Sequence, residues 1–524
     1  MPQTDILQAG GKRTILDLFA ENVEYDLSSP FIRCLGRTYS YSEIDKASRQ
    51  ISAQLSSVSV GPGSRVAIAM NNRPVFVPAF LAILRLGATA VPLNTLYKPD
   101  EYAYSLQHSG CRAVILERQL HEPVQQACRG LNQSVALLAS ADERSLTLEF
   151  EHRPSAACGR LPAERVSVSG IAGVFYTSGT TARPKGVMIS HANLMYSAEV
   201  TIRSLALQKA DIPLLAFPLF HVNSLFYGVL TAIALGGAVA LLPKFSVSAY
   251  WEQAAESGAS WTPGITGPLI RLLLQQPQRE AETRHPLRFA VGGSFLSLND
   301  LSEFTKRFGV RILPAWSMTE TVSLGTLHPP HRAFPIPTTT AIGFPTLGQQ
   351  IRIVRTDGTP AAPGEPGEIL YRSPSIFAGY LNDPEATRDA FADDGWLRTG
   401  DLAMFDENGY LTFVDRKKDM IKSKGENVAA AEVERVLNEH PGVLESAVVG
   451  ERDGQGIFGE HVVAYVVRNQ RAEVDEGCLQ DWTRQKLADF KVPKAIYFVD
   501  TLPKTPLGKI QRALLKNKPA LRSK

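Results

Sequence analysis

One stretch limits what this chain can fold into more than any other: Tyr176-Thr-Ser-Gly-Thr-Thr-Ala-Arg-Pro-Lys-Gly186. An apolar run, Ile171 to Phe175, leads into it and predicts a buried strand. Ser190-His-Ala-Asn follows and predicts a helix capped by Ser190. A strand, a loop of glycine and hydroxyl residues, and then a lysine is an arrangement suited to phosphate. Gly179 lets backbone N–H groups turn towards one point, Ser178, Thr180 and Thr181 can donate, and Lys185 supplies positive charge. No glycine precedes the lysine and no Ser or Thr follows it, so this is not a Walker A loop. Taken alone, the stretch is equally compatible with a surface turn, and the rest of the chain has to decide.

Around it, strand and helix patterns alternate. Thr38–Tyr41 reads as a strand, followed by a helix over Glu43–Leu55 capped by Ser42 with Asp45 in the capping-box position. Further strands are expected at 65–70, 90–93 and 113–116, with helices at 76–86 and 98–109 between them. From 129 to 167 the pattern is irregular and polar, a connector with short elements. Beyond the loop come strands at 213–217, 238–242, 287–291 and 311–314, and helices at 224–235 and 247–256. Such alternation predicts a mainly parallel sheet covered on both faces, with ligands at the carboxyl ends of its strands. After His328 the chain turns proline-rich and then strand-rich, with a hairpin at Asp406-Glu-Asn-Gly409.

At 524 residues the chain exceeds one ordinary core, so more than one domain is expected. The charged run Asp415-Arg-Lys-Lys-Asp419 marks the boundary. The expected fold class is α/β. A large N-terminal domain of α/β subdomains with a β-rich subdomain occupies 1–417, and a small mobile α+β domain occupies 418–524. A net charge of +3 argues against a nucleic-acid binder with a dominant basic surface. The five cysteines (Cys34, Cys111, Cys128, Cys158, Cys478) form no CxxC pair, which fits reduced thiols and a cytoplasmic location. Met1-Pro-Gln-Thr-Asp5 has no basic segment leading into an apolar run, so no leader is expected. No apolar run reaches the roughly 20 residues of a membrane span, and no transmembrane segment is expected.

Four more stretches carry chemistry. Trp316-Ser-Met-Thr-Glu320 puts a carboxylate just after a strand end, where Glu320 could ligate the Mg²⁺ that a triphosphate needs. Gly395-Trp-Leu-Arg-Thr-Gly-Asp401 ends in an aspartate suited to a ribose diol. Lys422-Ser-Lys-Gly-Glu-Asn427 is a second glycine turn, and Pro503-Lys-Thr-Pro-Leu-Gly-Lys-Ile-Gln-Arg512 places lysines in a rigid loop. Singly, each has a plainer explanation: a helix-end charge, a turn residue, a solvated linker or a basic tail. Jointly and in this order those explanations fail.

On YTSGTTARPKGV, GWLRTGDL, DRKKDMIKSKGENV and PKTPLGKIQR, the chain resembles the adenylate-forming superfamily. That superfamily comprises acyl- and aryl-CoA synthetases, peptide-synthetase adenylation domains and beetle luciferases, and the resemblance runs from about Thr38 to Arg512. It implies that Thr177, Ser178, Gly179, Thr180, Thr181 and Lys185 hold the β- and γ-phosphates of ATP. Gly292, Gly293, Ser294, Ala315 and Trp316 would flank the adenine, with Ser317 and Met318 in the same nucleotide segment. Thr319 would meet the α-phosphate, Glu320 would bind Mg²⁺, and Asp401 would take the ribose with Arg416 assisting. Lys418 would be the hinge, and Lys509 would bridge carboxylate and phosphate. Gly425 would line a tunnel for the thiol of CoA or of a phosphopantetheine arm.

The acid would lie against His221, Val222, Asn223, Trp261, Gly264, Gly292 and Ser317, with Lys509, His221 and Lys185 as the catalytic set. Two local departures matter. Trp316-Ser317 replaces the family's usual Tyr-Gly, which should narrow the pocket towards a short, branched, cyclic or aryl acid. The segment Phe217-Pro-Leu-Phe-His221-Val-Asn-Ser224 lacks the aspartate by which amino-acid-activating domains hold an α-amino group. The resemblance therefore implies an ATP-dependent acid–thiol ligase using CoA. The alternatives are loading of a separate carrier protein and, further off, a luciferase-like oxygenase or a non-catalytic nucleotide-binding homologue.

Overall fold

The structure, a computed structural model, describes residues 13–131, 134–140, 142–152, 166–177, 184–292, 296–330, 335–338, 340–423, 426–452, 460–469, 473–505 and 510–516. Its first large sheet has eight strands. In order they are Gly379–Tyr380, Lys185–Ser190, Ile171–Thr177, Thr89–Pro92, Arg65–Ala69, Ala113–Glu117, Ala136–Ser140 and Leu148–His152. The centre is parallel and antiparallel strands close both ends. Alternate residues of one strand serve two different cores. Val66 and Ile68 pack with Ile44, Ile51 and Phe80, whereas Ala67 and Ala69 pack with Tyr102, Leu106 and Val124. Burial on both faces is why these strands are continuous apolar runs.

A second, parallel sheet of Trp261–Ile265, Phe289–Gly292 and Arg311–Leu313 joins the sheet of Leu214–Leu215, Val239–Leu241, Pro30–Cys34 and Arg37–Ser40 through a Pro213–Trp261 bridge. A third sheet is antiparallel and has seven strands. They run Ala315–Trp316, Thr326–Leu327, Ala341–Pro345, Leu411–Arg416, Leu397–Phe405, Gly367–Arg372 and Gln350–Val354. Strand Arg311–Leu313 passes almost directly into Ala315–Trp316, so the second and third sheets meet there. Gly379–Tyr380 then carries the chain from the third sheet back to the edge of the first. From Ile421 onward the chain builds its own core, in which Ile421, Val433, Leu437, Val448, Val462, Ala464 and Leu479 pack between a three-stranded sheet and two helices.

Two local expectations are corrected. The first helix of the first sheet's cover spans Tyr41–Ser56 and is capped by Ser40, not Ser42. Ser40 Oγ accepts from the Glu43 N–H at 3.2 Å and a Glu43 oxygen accepts from the Ser40 N–H at 2.8 Å, closing a capping box two residues early. Tyr41 requires this start, because it is fully buried and its hydroxyl donates to the Gly237 carbonyl at 2.8 Å. The second correction concerns 224–235. Its first part, Asn223–Leu230, is a π-helix, and only Thr231–Leu235 is α-helical. Residues Ser224 to Leu230 are all buried, so their apolar pattern has no exposed phase from which a wider turn could be read. The 129–167 connector contributes two strands, Ala136–Ser140 and Leu148–His152; its residues 153–165 lie outside the described ones.

Asp415, near the end of strand Leu411–Arg416, is 1% exposed. It accepts from the Arg416 N–H at 2.7 Å and from the Ala431 N–H at 3.3 Å, which ties that strand to helix Ala430–Asn438. Burial pushes its carboxyl up to about 6, against the opposing pull of those hydrogen bonds and of Arg512. The folded chain therefore holds an extra proton between about pH 4 and the folded value, and this group's contribution to stability falls as pH rises through that window. Asp415→Asn is expected to remove this dependence. Relative to the parent, the variant should gain about 2 kcal/mol at pH 7 compared with pH 4.5, read from urea midpoints.

Candidate active site

The junction of the second and third sheets holds the ribose candidate. Asp401 is 8% exposed and stands directly opposite Arg416 in the antiparallel pair of Leu397–Phe405 with Leu411–Arg416. The Trp316 indole donates to Asp401 Oδ2 at 2.7 Å, and Arg416 Nε lies 3.5 Å from Oδ1. Donors from two other strands thus fix the carboxylate plane, and its remaining lone pairs can accept from a vicinal diol. Ala315 and Trp316 pair across to Leu327 and Thr326, which places them on the same edge.

Glu320 sits in the short 3₁₀ turn Thr319–Thr321 and is 7% exposed. Burial raises its carboxyl, and the Tyr380 hydroxyl, donating at 3.0 Å, opposes that rise. The Tyr380 ring also lies 4.7 Å beneath Lys185 Nζ. One aromatic side chain therefore links Lys185 to Glu320. Tyr380 was absent from the sequence-derived set. Gly379-Tyr-Leu-Asn382 carries no charge pattern, and its place at the sheet edge beside Val187 is set only by tertiary pairing. Just beyond Glu320, Val322 has φ +63° and the Ser323 N–H donates to the Thr321 carbonyl at 2.7 Å, a γ-turn that a β-branched residue adopts only under strain.

Glu320 also suits a divalent cation. It is a buried carboxylate without an ion-pair partner among the described residues, and no group of three potential ligands occurs among them. Mg²⁺ accepts such a site, held by one carboxylate with the rest of its shell from phosphate and water.

Thr177 and Lys185 pair directly across strands Ile171–Thr177 and Lys185–Ser190, so the loop's two ends are held side by side. Ser178, Gly179, Thr180, Thr181, Gly293, Ser294, Gly425 and Lys509 lie outside the described residues. The ends of the Lys509 segment are described. Lys504 pairs with Ile510, and the Gln511 N–H donates to the Pro503 carbonyl at 2.8 Å. Lys504 and Thr505 line a cavity of about 300 Å³ with Phe217, Pro218, Asn72 and Lys244 of the large domain. Lys418 stands in the turn after Leu411–Arg416, and burial, helped by Arg416, holds its ammonium below the usual lysine range.

The residues expected against the acid come from the start of the π-helical segment, two strands of the second sheet and the turn after Ala315–Trp316. His221 opens the turn into the π-helical segment, its ring 4.6 Å from that of Phe220, and Val222 and Asn223 follow. The Asn223 side chain donates to the Pro263 carbonyl at 2.9 Å. A side chain on Gly264 would meet Asn223 Oδ1 and the Phe217 ring, both at 2.6 Å. Gly292 has φ +123°, and a Cβ there would collide with the Ile265 carbonyl, so both strand ends must stay bare for their backbones to approach. Ser317 faces the phenol of Tyr227.

Residues 19–381 match the AMP-binding enzyme family and residues 432–509 match the AMP-binding enzyme C-terminal domain. The sulfoacetate–CoA ligase of Cupriavidus necator is 34% identical over 87% of this chain and 88% of its own length. The crotonobetaine/carnitine–CoA ligase of Salmonella paratyphi A is 32% identical over 98% of this chain and 100% of its own. The ATP-bound structure of MatB from Rhodopseudomonas palustris superposes with a TM-score of 0.83 at 28% identity, covering 96% of this chain and 98% of that one. With its two characteristic domains in order and relatives spanning its whole length, the chain belongs to the AMP-binding enzyme family, in the branch of acyl-CoA synthetases.

Proposed function

We propose that this chain joins a carboxylic acid to CoA in two steps at one site. In the first, a carboxylate oxygen attacks the α-phosphorus of ATP. The bond from that phosphorus to pyrophosphate breaks and an acyl-adenylate forms. In the second, the CoA sulfur, having given its proton to solvent, attacks the acyl carbon, and AMP leaves with the electrons of the broken C–O bond. Both reactants of the first step are anions, so the site must supply positive charge where they meet. Lys185 and Lys509 are assigned that task, and a Mg²⁺ held at Glu320 would offset the charge of the triphosphate. Asp401, oriented by Trp316 and Arg416, holds the ribose. Thr319 contacts the α-phosphate, and His221 lies beside the incoming carboxylate. Lys418 is the hinge of a small domain, beginning at residue 418, whose rotation would exchange Lys509 for the thiol path at Gly425.

The observation that carries this reading is the single aromatic link from Lys185 through Tyr380 to Glu320, beside the Trp316–Asp401 hydrogen bond. Pyrophosphate release over a panel of carboxylic acids, with and without CoA, tests it. Acid-dependent release and a matching acyl-CoA mass are expected. Release that requires an added carrier protein in place of CoA would redirect the second step. Tyr380→Leu should raise the KM for ATP about tenfold, since it removes both the hydrogen bond to Glu320 and the ring under Lys185. Tyr380→Phe, which keeps the ring, should fall between the two in an initial-rate assay. A cytoplasmic location is supported by the free thiols of Cys34, Cys111, Cys128 and Cys478.

A further inference from the structure

One helix turn is hydrogen-bonded to three pieces of the site that lie far from it in sequence. The turn ends helix Pro99–Ser109. The Tyr104 hydroxyl donates to the Pro184 carbonyl at 3.1 Å, one residue ahead of Lys185. The Tyr176 hydroxyl donates to the Ser105 carbonyl at 3.2 Å, and His108 Nδ1 lies 2.9 Å from the same hydroxyl. The Asn382 side chain, two residues past Tyr380, donates to the His108 carbonyl at 2.8 Å. Ring packing reinforces these bonds. The His108 imidazole stacks on Tyr104 with ring centres 5.4 Å apart and meets the Tyr176 ring edge-on at 5.8 Å. Tyr104 and His108 stand four residues apart on one helix face, so a single rigid turn carries both tyrosine contacts.

Those contacts fall where the sheet's own support runs out. Strand Ile171–Thr177 runs parallel to Thr89–Pro92 with Gly173 opposite Ala90. In that register Pro92 is level with Phe175, and Tyr176 and Thr177 extend past the neighbouring strand. On the other side, Gly379 and Tyr380 pair with Met188 and Val187, and the Leu381 N–H donates to the Gly186 carbonyl at 2.8 Å, one residue short of Lys185. The facing pair Thr177–Lys185 therefore overhangs the sheet, and a two-stranded end is marginal by itself. The helix supplies what the sheet does not. Tyr176 anchors the strand that enters the loop, and Tyr104 anchors the residue before the strand that leaves it. A cradle built from several donors grips its ligand only if its two ends keep a fixed separation.

We infer that Tyr104, and Tyr176 seated against His108, are positioning residues for ATP: they fix the two ends of the 177–185 loop and thereby its grip on the β- and γ-phosphates. This rests on the reading of that loop as the phosphate end of the ligase site. Neither tyrosine is assigned to the nucleotide itself, and both act through the strand ends that carry Thr177 and Lys185. AMP lacks the two outer phosphates, so its affinity does not sense the brace.

The test compares α,β-methylene-ATP with AMP by titration calorimetry on the full-length protein with Mg²⁺, and needs no knowledge of the acid. Tyr104→Phe and Tyr176→Phe keep both rings and remove only the hydroxyls. Each should weaken binding of the triphosphate analogue about three- to tenfold, the range of one lost hydrogen bond, and the double variant should lose at least about tenfold. The Kd for AMP should stay within about twofold in all three, which also reports that the fold is intact. Triphosphate affinity equal to the parent's in the double variant would overturn the inference. So would a loss shared equally by AMP, the mark of general disruption rather than positioning. In both cases the ligase reading stands. A parent protein that does not bind the triphosphate analogue overturns the ligase reading and this inference with it.

Discussion

Replacing Lys509 by alanine is expected to lower acid-dependent pyrophosphate release by about 10²–10³-fold, the loss typical of removing one charge-stabilising group from a transition state. Thioester formation from preformed acyl-adenylate should change less than about threefold, because the second step needs no cation between two anions. The reason lies in how the lysine's loop is mounted. Lys504–Ile510 pairing and the Gln511–Pro503 hydrogen bond clamp both ends of the segment together. Lys504 and Thr505 line one cavity with Phe217 and Pro218, three residues short of His221, where the acid is assigned to enter. Gly425→Leu should show the opposite pattern, sparing adenylation and blocking the thiol. Rapid-quench measurement of each half-reaction separates the outcomes. Equal losses in both steps for Lys509→Ala would refute the division of labour.

The second large effect is expected from Arg512→Leu, which should destabilise the small domain by about 3–5 kcal/mol. Arg512 Nη2 lies 2.6 Å from Glu434 Oε2 and its Nε donates to the other Glu434 oxygen at 3.0 Å, a two-pronged pair, while Nη1 reaches Asp419 at 3.4 Å. Glu434 and Asp419 have side chains only 9% and 15% exposed, and Asp415 is close enough to feel the same guanidinium. Deleting the cation leaves these carboxylates buried with no counter-charge, which is costlier than never having buried the pair. Urea unfolding followed by a small-domain probe such as Trp482 fluorescence should show an early transition. Arg512→Leu combined with Glu434→Leu should recover much of the loss, as a double-mutant cycle would measure. A single variant with the parent midpoint would show that the cluster contributes no net stability.

The strand Ile171–Thr177 and the helix start after it were legible because each signal is local: an apolar run and a capping serine. Ser190 caps its helix as expected, accepting from the Asn193 N–H at 3.1 Å. The Asp406–Gly409 hairpin also forms as its residues dictate. Where the expectation slipped, the competing force was not local. Ser42 looks as good a cap as Ser40, and the choice was made by Tyr41 reaching Gly237 from 196 residues away. The π-helical widening at 223–230 left no trace in a segment buried on every side.

The sequence by itself determined the order in which the chain delivers the groups proposed for the site: Lys185, His221, Glu320, Asp401, Arg416, Lys418, Gly425 and Lys509, each inside a motif whose residue types suit the task proposed for it. It also set the sheets, since apolar runs and turn residues act within a few positions of themselves. Only the tertiary structure decided which groups touch. Tyr380 meets Glu320 across 60 residues and Trp316 meets Asp401 across 85, through strand registers that a shift of one residue would turn to the opposite face.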